Sequence, residues 1–147
     1  MSGRLRALWA RTPLPWETFA GMAAAVGAQH ARPLRLPAWP QLCGAAVACM
    51  GLGLVTAAVR ERGPGSLAEP VTLVTRGLHS RSRNPMYVGC CLVQVGLACV
   101  TRNAWMLAFS PVSAALLHQS ILREEHVLHE RFGVEYDSYA AEVPRYW

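Results

Sequence analysis

The chain contains no lysine. All fourteen of its basic residues are arginines, so each cation is a planar guanidinium that stays charged and grips carboxylate or phosphate through a fork. Charge of either sign is scarce, at 16% of residues, against about a quarter in ordinary soluble domains. Cysteine is too sparse for a disulfide framework. The five residues, Cys43, Cys49, Cys90, Cys91 and Cys99, are odd in number and all lie inside apolar blocks. They read as reduced, buried, small hydrophobes. None falls in the paired spacing that a zinc site needs.

What is present is apolar. Hydrophobic residues make up 52% of the 147-residue chain, a length that suits one domain. The mean hydropathy is only +0.20, because the apolar residues come in long blocks separated by arginine-bearing loops. Residues 1–83 carry ten arginines against three acids, and residues 84–147 carry four against six. A basic half can mark a nucleic-acid partner. Here the arginines flank apolar blocks and form no stripe with interleaved aromatics, so a membrane with anionic lipids explains them better and nucleic acid is excluded as partner.

Residues 1–15 form a basic tail with Arg4, Arg6 and Arg11. Residues 16–28 are apolar and rich in Ala and Gly. They fit either a first membrane helix or the apolar core of a secretory signal, and the membrane character of the later blocks favours the helix. Residues 38–59 run for 22 positions without a charge, enough to cross a bilayer core as a helix. Gly63-Pro64-Gly65 then breaks any helix, and 71–75 suits an extended segment. Asn84 is a good N-cap and Pro85 a good first residue for a helix to about Val100. Thr101-Arg102-Asn103 reads as a tight turn, and a second apolar run, 104–122, returns. Ser110-Pro111 inside that run predicts a kink or a fresh start. Residues 123–132 extend the last helix, Gly133 stops it, and Tyr136 to Ala141 suit another short helix.

The pattern predicts an all-α integral membrane protein with about four transmembrane helices, ending in a helical hairpin. Residues 1–59 hold the tail and the first two membrane helices, and 60–147 the region with chemistry. If the four blocks alternate, eleven arginines lie on one side and three on the other. Positive charge favours the inner face, which places both termini in the cytoplasm and both polar motif regions on that face.

Two stretches carry the chemistry. The first is Arg83-Asn84-Pro85-Met86-Tyr87-Val88-Gly89, preceded by Leu73-Val74-Thr75-Arg76-Gly77. The second is Glu124-Glu125, then Leu128, Phe132-Gly133, Tyr136, Tyr139 and Val143-Pro144-Arg145. In this order, from about Gly63 to Arg145, the sequence resembles the isoprenylcysteine carboxyl methyltransferases and the related phospholipid methyltransferases. It departs from them at His79, where a tyrosine is common, and it ends at Trp147 just past Val-Pro-Arg.

The resemblance implies an S-adenosylmethionine-dependent methyltransferase acting on a lipophilic or membrane-partitioning acceptor, with a cofactor pocket at the cytoplasmic face. The acceptor group stays open between carboxylate, phospholipid amine and thiol. The resemblance also implies a site: Asn84, Pro85, Tyr87, Gly89, Glu124, Glu125 and Tyr136 for the cofactor, and Arg83 and Arg145 as catalytic cations that orient an acceptor carboxylate. The residue chemistry agrees with this list. Arg83 can bind a carboxylate through charge-assisted bonds, and the glutamates can accept from an ammonium or hydroxyls. Neighbours on a helix point about 100° apart. Glu125 shares its face with His118, Ile121, Leu128 and Phe132 and is the expected pocket acceptor. Glu124 shares its face with Arg131 and is the expected brace.

Two other classes compete. His118, Glu125, His126, His129 and Glu130 lie on one helix at spacings that can hold a metal, although no H-E-x-x-H is present. A membrane adaptor that kept the fold without activity is the third reading. Binding of S-adenosylmethionine, of a metal, or of neither separates the three.

Overall fold

The computed structural model describes residues 15–62 and 72–147. The basic tail and the Gly63-Pro64-Gly65 break lie outside the described residues. Five helices follow in order: α1 Trp16–Ala31, α2 Gln41–Arg62, α3 Pro85–Val100, α4 Ala104–Phe132 and α5 Val134–Glu142, with a 3-10 turn, Gly77–Ser80, before α3. Among the described residues there is no strand; a single antiparallel bridge joins Arg35 to Asn103. Of the segment 71–75 expected to be extended, residue 71 lies outside the described residues and residues 73–75 form neither helix nor strand.

Two helices, α2 and α4, are long and apolar enough to cross a membrane. The 16-residue helices α1 and α3 are shorter, about 24 Å each at helical rise. The outward faces are apolar, with Trp39 81% and Leu42 86% exposed. Cys43 and Cys49 are exposed on this surface, and Cys90, Cys91 and Cys99 are partly covered; all five are free thiols. The expectation of buried cysteines thus fails at the first two. An apolar exterior does not force small apolar residues inward.

The tightest packing joins α2 to α3. A Cβ built on Gly51 would lie 2.6 Å from the Gly89 carbonyl oxygen, and one on Gly96 would lie 2.5 Å from the Ala48 amide nitrogen. Backbone therefore meets backbone along this seam, the close approach that small residues permit in lipid. Buried polar side chains join the other helices. Ser120 on α4 donates to Glu17 on α1, and Gln94 on α3 donates to Ser113 at 3.3 Å. Asn103 holds the start of α4 by accepting from the Met106 amide at 3.0 Å and donates to the Ala25 carbonyl.

Helix α1 is built into this bundle, its Glu17 and Thr18 buried. Helix α2 runs three residues past the apolar stretch, because Glu61 and Arg62 find partners across the end of the bundle. Helix α4 is one continuous element despite Pro111. The carbonyl that Pro111 cannot reach, that of Leu107, accepts from the Ser110 hydroxyl at 2.7 Å instead. Gly133, at φ +51°, ends α4 in the left-handed region and lets α5 fold back.

Candidate active site

The end of the bundle opposite the Arg35–Asn103 bridge gathers both motif stretches. Helix α3 begins there, α4 leaves the apolar region there, and the segment after α5 returns there. The Arg83 amide donates to the Pro144 carbonyl at 3.0 Å, and the Ser82 hydroxyl donates to the Arg145 carbonyl at 3.3 Å. Two stretches some sixty residues apart in sequence are thereby tied through backbone.

Glu125 is the hub. It is 9% exposed and accepts from Arg145 through Nε at 3.0 and 3.1 Å and Nη2 at 2.8 Å. Asn84 Nδ2 donates to it at 3.3 Å, and Arg83 Nη1 lies 3.6 Å away. The same Arg83 nitrogen donates to the Tyr136 hydroxyl at 3.2 Å. The hydrogen bonds to Glu125 hold the Arg145 guanidinium even more firmly charged than usual. Burial pushes the Tyr136 phenol up, with the Glu125 charge adding to it, so this hydroxyl stays protonated as a donor and acceptor. Burial likewise pushes Tyr139 up to about 12, and its hydroxyl donates to the His79 carbonyl at 2.6 Å.

Glu124 points elsewhere. Arg62 at the end of α2 pairs with it at 3.0 Å, and the Tyr87 hydroxyl donates to it at 2.5 Å. It is thus braced across two helices, as its position on α4 suggests, but the cation is Arg62 rather than the expected Arg131. The helical face alone could not reveal that α2 ends beside α4.

Most of the residues expected at the site meet here: Arg83, Asn84, Glu125, Tyr136 and Arg145 in one cluster, Tyr87 and Glu124 in its neighbour. Pro85 is fully buried at the first turn of α3. Gly89 is not brought to the cluster; it lies in the α2–α3 seam against Gly51. Asn84 occupies the N-cap position but makes no side-chain cap bond, because its amide is turned across to Glu125 and the Arg145 carbonyl.

A second polar unit went unforeseen. Glu61 accepts from the Leu78 amide at 2.9 and 3.0 Å and from His79 Nδ1 at 2.8 Å, clamping the glycine turn to α2. Gly77, at φ +65°, is required there, since a Cβ would lie 2.2 Å from the Glu61 carboxylate. Only the unusual His79 hinted at this pair; nothing in local sequence pointed from it to Glu61.

The spacing that suggested a metal resolves into separate pairs: His126 with Glu130 at 3.3 Å, His129 with Asp137 at 2.7 Å, and His118 with the Tyr146 hydroxyl at 2.7 Å. Among the described residues no three His, Cys, Asp or Glu side chains gather.

Beside the polar cluster lies a cavity of about 310 Å³ between α3 and α4, lined by Tyr87, Cys91, Leu117, His118, Ile121 and Tyr146 among others. Two buried nitrogens close to the cluster have no partner, Arg83 Nε and His79 Nε2. A buried donor without an acceptor is costly, and Arg83 Nε fits a bound anionic group such as the carboxylate of S-adenosylmethionine. The Tyr136 hydroxyl fits its ammonium or hydroxyls as an acceptor, and Glu125 does so in exchange for one of its present donors.

The described residues thus form a helical bundle with two helices long and apolar enough to span a membrane, a guanidinium–carboxylate cluster at one end and an apolar cavity beside it. A family model described as phospholipid methyltransferase matches residues 39–135, well over half of the chain, and the chain belongs to that family. It is also 34% identical over 76 residues to the nickel-cobalt-cadmium resistance protein NccN of Alcaligenes xylosoxydans xylosoxydans. That match covers 51% of this chain and 35% of NccN, so the chain spans about a third of that relative's length. No solved structure matches the chain.

Proposed function

We propose that this protein transfers the methyl group of S-adenosylmethionine to a lipophilic, membrane-partitioning acceptor at the cytoplasmic face of a membrane. The observation that carries the reading is the Arg83–Asn84–Glu125–Arg145 cluster at the end of the bundle, with Tyr146, the chain neighbour of Arg145, on the wall of the apolar cavity. Membership of a methyltransferase family agrees with it. In this reading α1 and α3 also cross the bilayer, making four spans.

Bound S-adenosylmethionine supplies a methyl group on a sulfonium, already a good leaving group. The chain's work is then alignment and exclusion of water. Arg83 takes the carboxylate through its unpartnered Nε, Glu125 and Tyr136 take the polar hydrogens, and Asn84 fixes Glu125. Tyr87 links the neighbouring Arg62–Glu124 pair to the cavity, its hydroxyl on Glu124 and its side chain on the cavity wall. The cavity holds the apolar body of the acceptor. Carboxyl methylation of the isoprenylcysteine kind would ask Arg83 or Arg145 to orient a second carboxylate, in competition with Glu125.

The test is binding of S-adenosylhomocysteine to the full chain in detergent, measured by calorimetry. Glu125→Ala is expected to weaken it by roughly 10- to 150-fold, the loss of one charged hydrogen bond, with a smaller effect for Glu124→Ala. Parent protein that does not bind, or alanine variants that bind as well as the parent, would end the methyltransferase reading of this site.

A further inference from the structure

His118 faces the cavity from the middle of α4, seven residues before Glu125, or about 10 Å along the helix. An ionisable side chain at that depth in a membrane helix is costly and by default functional. Its Nδ1 lies 2.7 Å from the Tyr146 hydroxyl, and the two rings meet tilted by 46° at 6.1 Å between centroids. The adjacent residue, Arg145, is locked on Glu125. The C-terminal strap therefore bridges the two stations, with one residue on the polar cluster and the next on His118.

We propose that His118 is the base that takes the proton from the acceptor, and that the acceptor is a lipophilic thiol. This rests on the methyl-transfer reading above. With Nδ1–H donating to the Tyr146 oxygen, the ring is fixed and Nε2 carries the free lone pair that a base needs. The chemistry of the lining selects the acceptor. No guanidinium lines the cavity to receive a carboxylate, and no carboxylate lines it to receive an ammonium. Either ion would be desolvated without a partner there. A thiol enters neutral, yet it is the thiolate that attacks, so this acceptor needs a base and little else. His118 Nε2 takes the thiol proton as the sulfur lone pair forms the new bond to the methyl carbon. The bond from that carbon to the sulfonium breaks, and its electron pair stays on the departing sulfur. Two neutral thioethers and one imidazolium result, and the imidazolium returns its proton to water.

The experiment uses the full chain in nanodiscs, labelled with ¹³C at histidine, with the His118 resonance assigned by its loss in His118→Gln. Decanethiol is expected to shift that resonance in the parent, and decylamine and decanoate are expected to leave it in place. With radiolabelled S-adenosylmethionine, His118→Gln should methylate decanethiol at least about 100-fold more slowly, the scale of one general base. Its affinity for S-adenosylhomocysteine should stay within about twofold. Tyr146→Phe should show an intermediate loss. An unmoved resonance, a shift by the amine or carboxylate in place of the thiol, or an undiminished rate in His118→Gln overturns the proposal. Failure of the parent to bind S-adenosylhomocysteine instead strikes the methyl-transfer reading itself.

Discussion

His79 is held neutral by its surroundings. Burial lowers its pKa, and the Arg62 charge adds to that, while the bond to Glu61 and the Glu61 and Glu124 charges oppose it. A histidine whose folded pKa is depressed binds its proton more readily when unfolded. Its contribution to stability is therefore complete above the ordinary value near 6.5 and is lost as pH falls below it toward the folded value. The fold should lose stability over that window, because a charged ring would have to stay buried near Arg62. Thermal unfolding in detergent between pH 7.5 and 5 is expected to show a falling Tm for the parent and a flatter profile for His79→Gln. Equal slopes in the two would show that His79 does not couple folding to protons. Glu125 was legible as a buried residue from its apolar helical face. Its degree of saturation by Arg145 and Asn84 was not, since those partners lie 20 and 41 residues away.

At the scale of the helices, the α2–α3 seam makes a sharper demand than any side-chain contact. Gly96→Val places a Cβ 2.5 Å from the Ala48 amide and 2.6 Å from the Gly44 carbonyl oxygen, where no rotamer change relieves it. A loss of about 1–3 kcal/mol or more is expected from such overpacking. Gly53→Ala meets nothing within 4 Å and should be neutral or slightly stabilising, by up to about 1 kcal/mol from the better helix propensity of alanine. Urea or thermal unfolding of the two variants in one detergent checks the pair, and equal stability would show that the seam can open without cost. That residues 38–59 hold three glycines, Gly44, Gly51 and Gly53, a residue that permits close helix contact in lipid, was visible in sequence. Which of them face α3 was not, because Gly51 and Gly53 look alike along the chain and only the rotation of α2 against α3 separates them.

For the molecule as a whole, backbone bonds collect residues 32–36 with 101–104 at one end, where the Leu36 amide donates to the Arg102 carbonyl at 2.9 Å. They collect the two motif stretches at the other. Arginine is sparse at the first end, with Arg32, Arg35 and Arg102, and abundant at the second. Reporter fusions at residue 147 and within 30–36 are expected to place the C-terminus in the cytoplasm and the connector on the opposite side. A C-terminus outside the cytoplasm would show that arginine asymmetry does not set the orientation of this chain.

The sequence by itself determined the helical class, the ends of α3 and the stop at Gly133. These follow from runs of apolar residues and from local backbone preferences, which act over a few positions. It also placed the two motifs at opposite ends of a hairpin of the right length to reunite them. Only the tertiary structure decided the partners. Arg62 took Glu124 because α2 ends beside α4, and Glu61 found His79 because a glycine turn folds back onto α2. Tyr146 reached His118 because Arg145 anchors the C-terminal strap on Glu125. Each of these contacts joins side chains from separate segments, and their choice depends on helix rotation and depth, which no local pattern encodes.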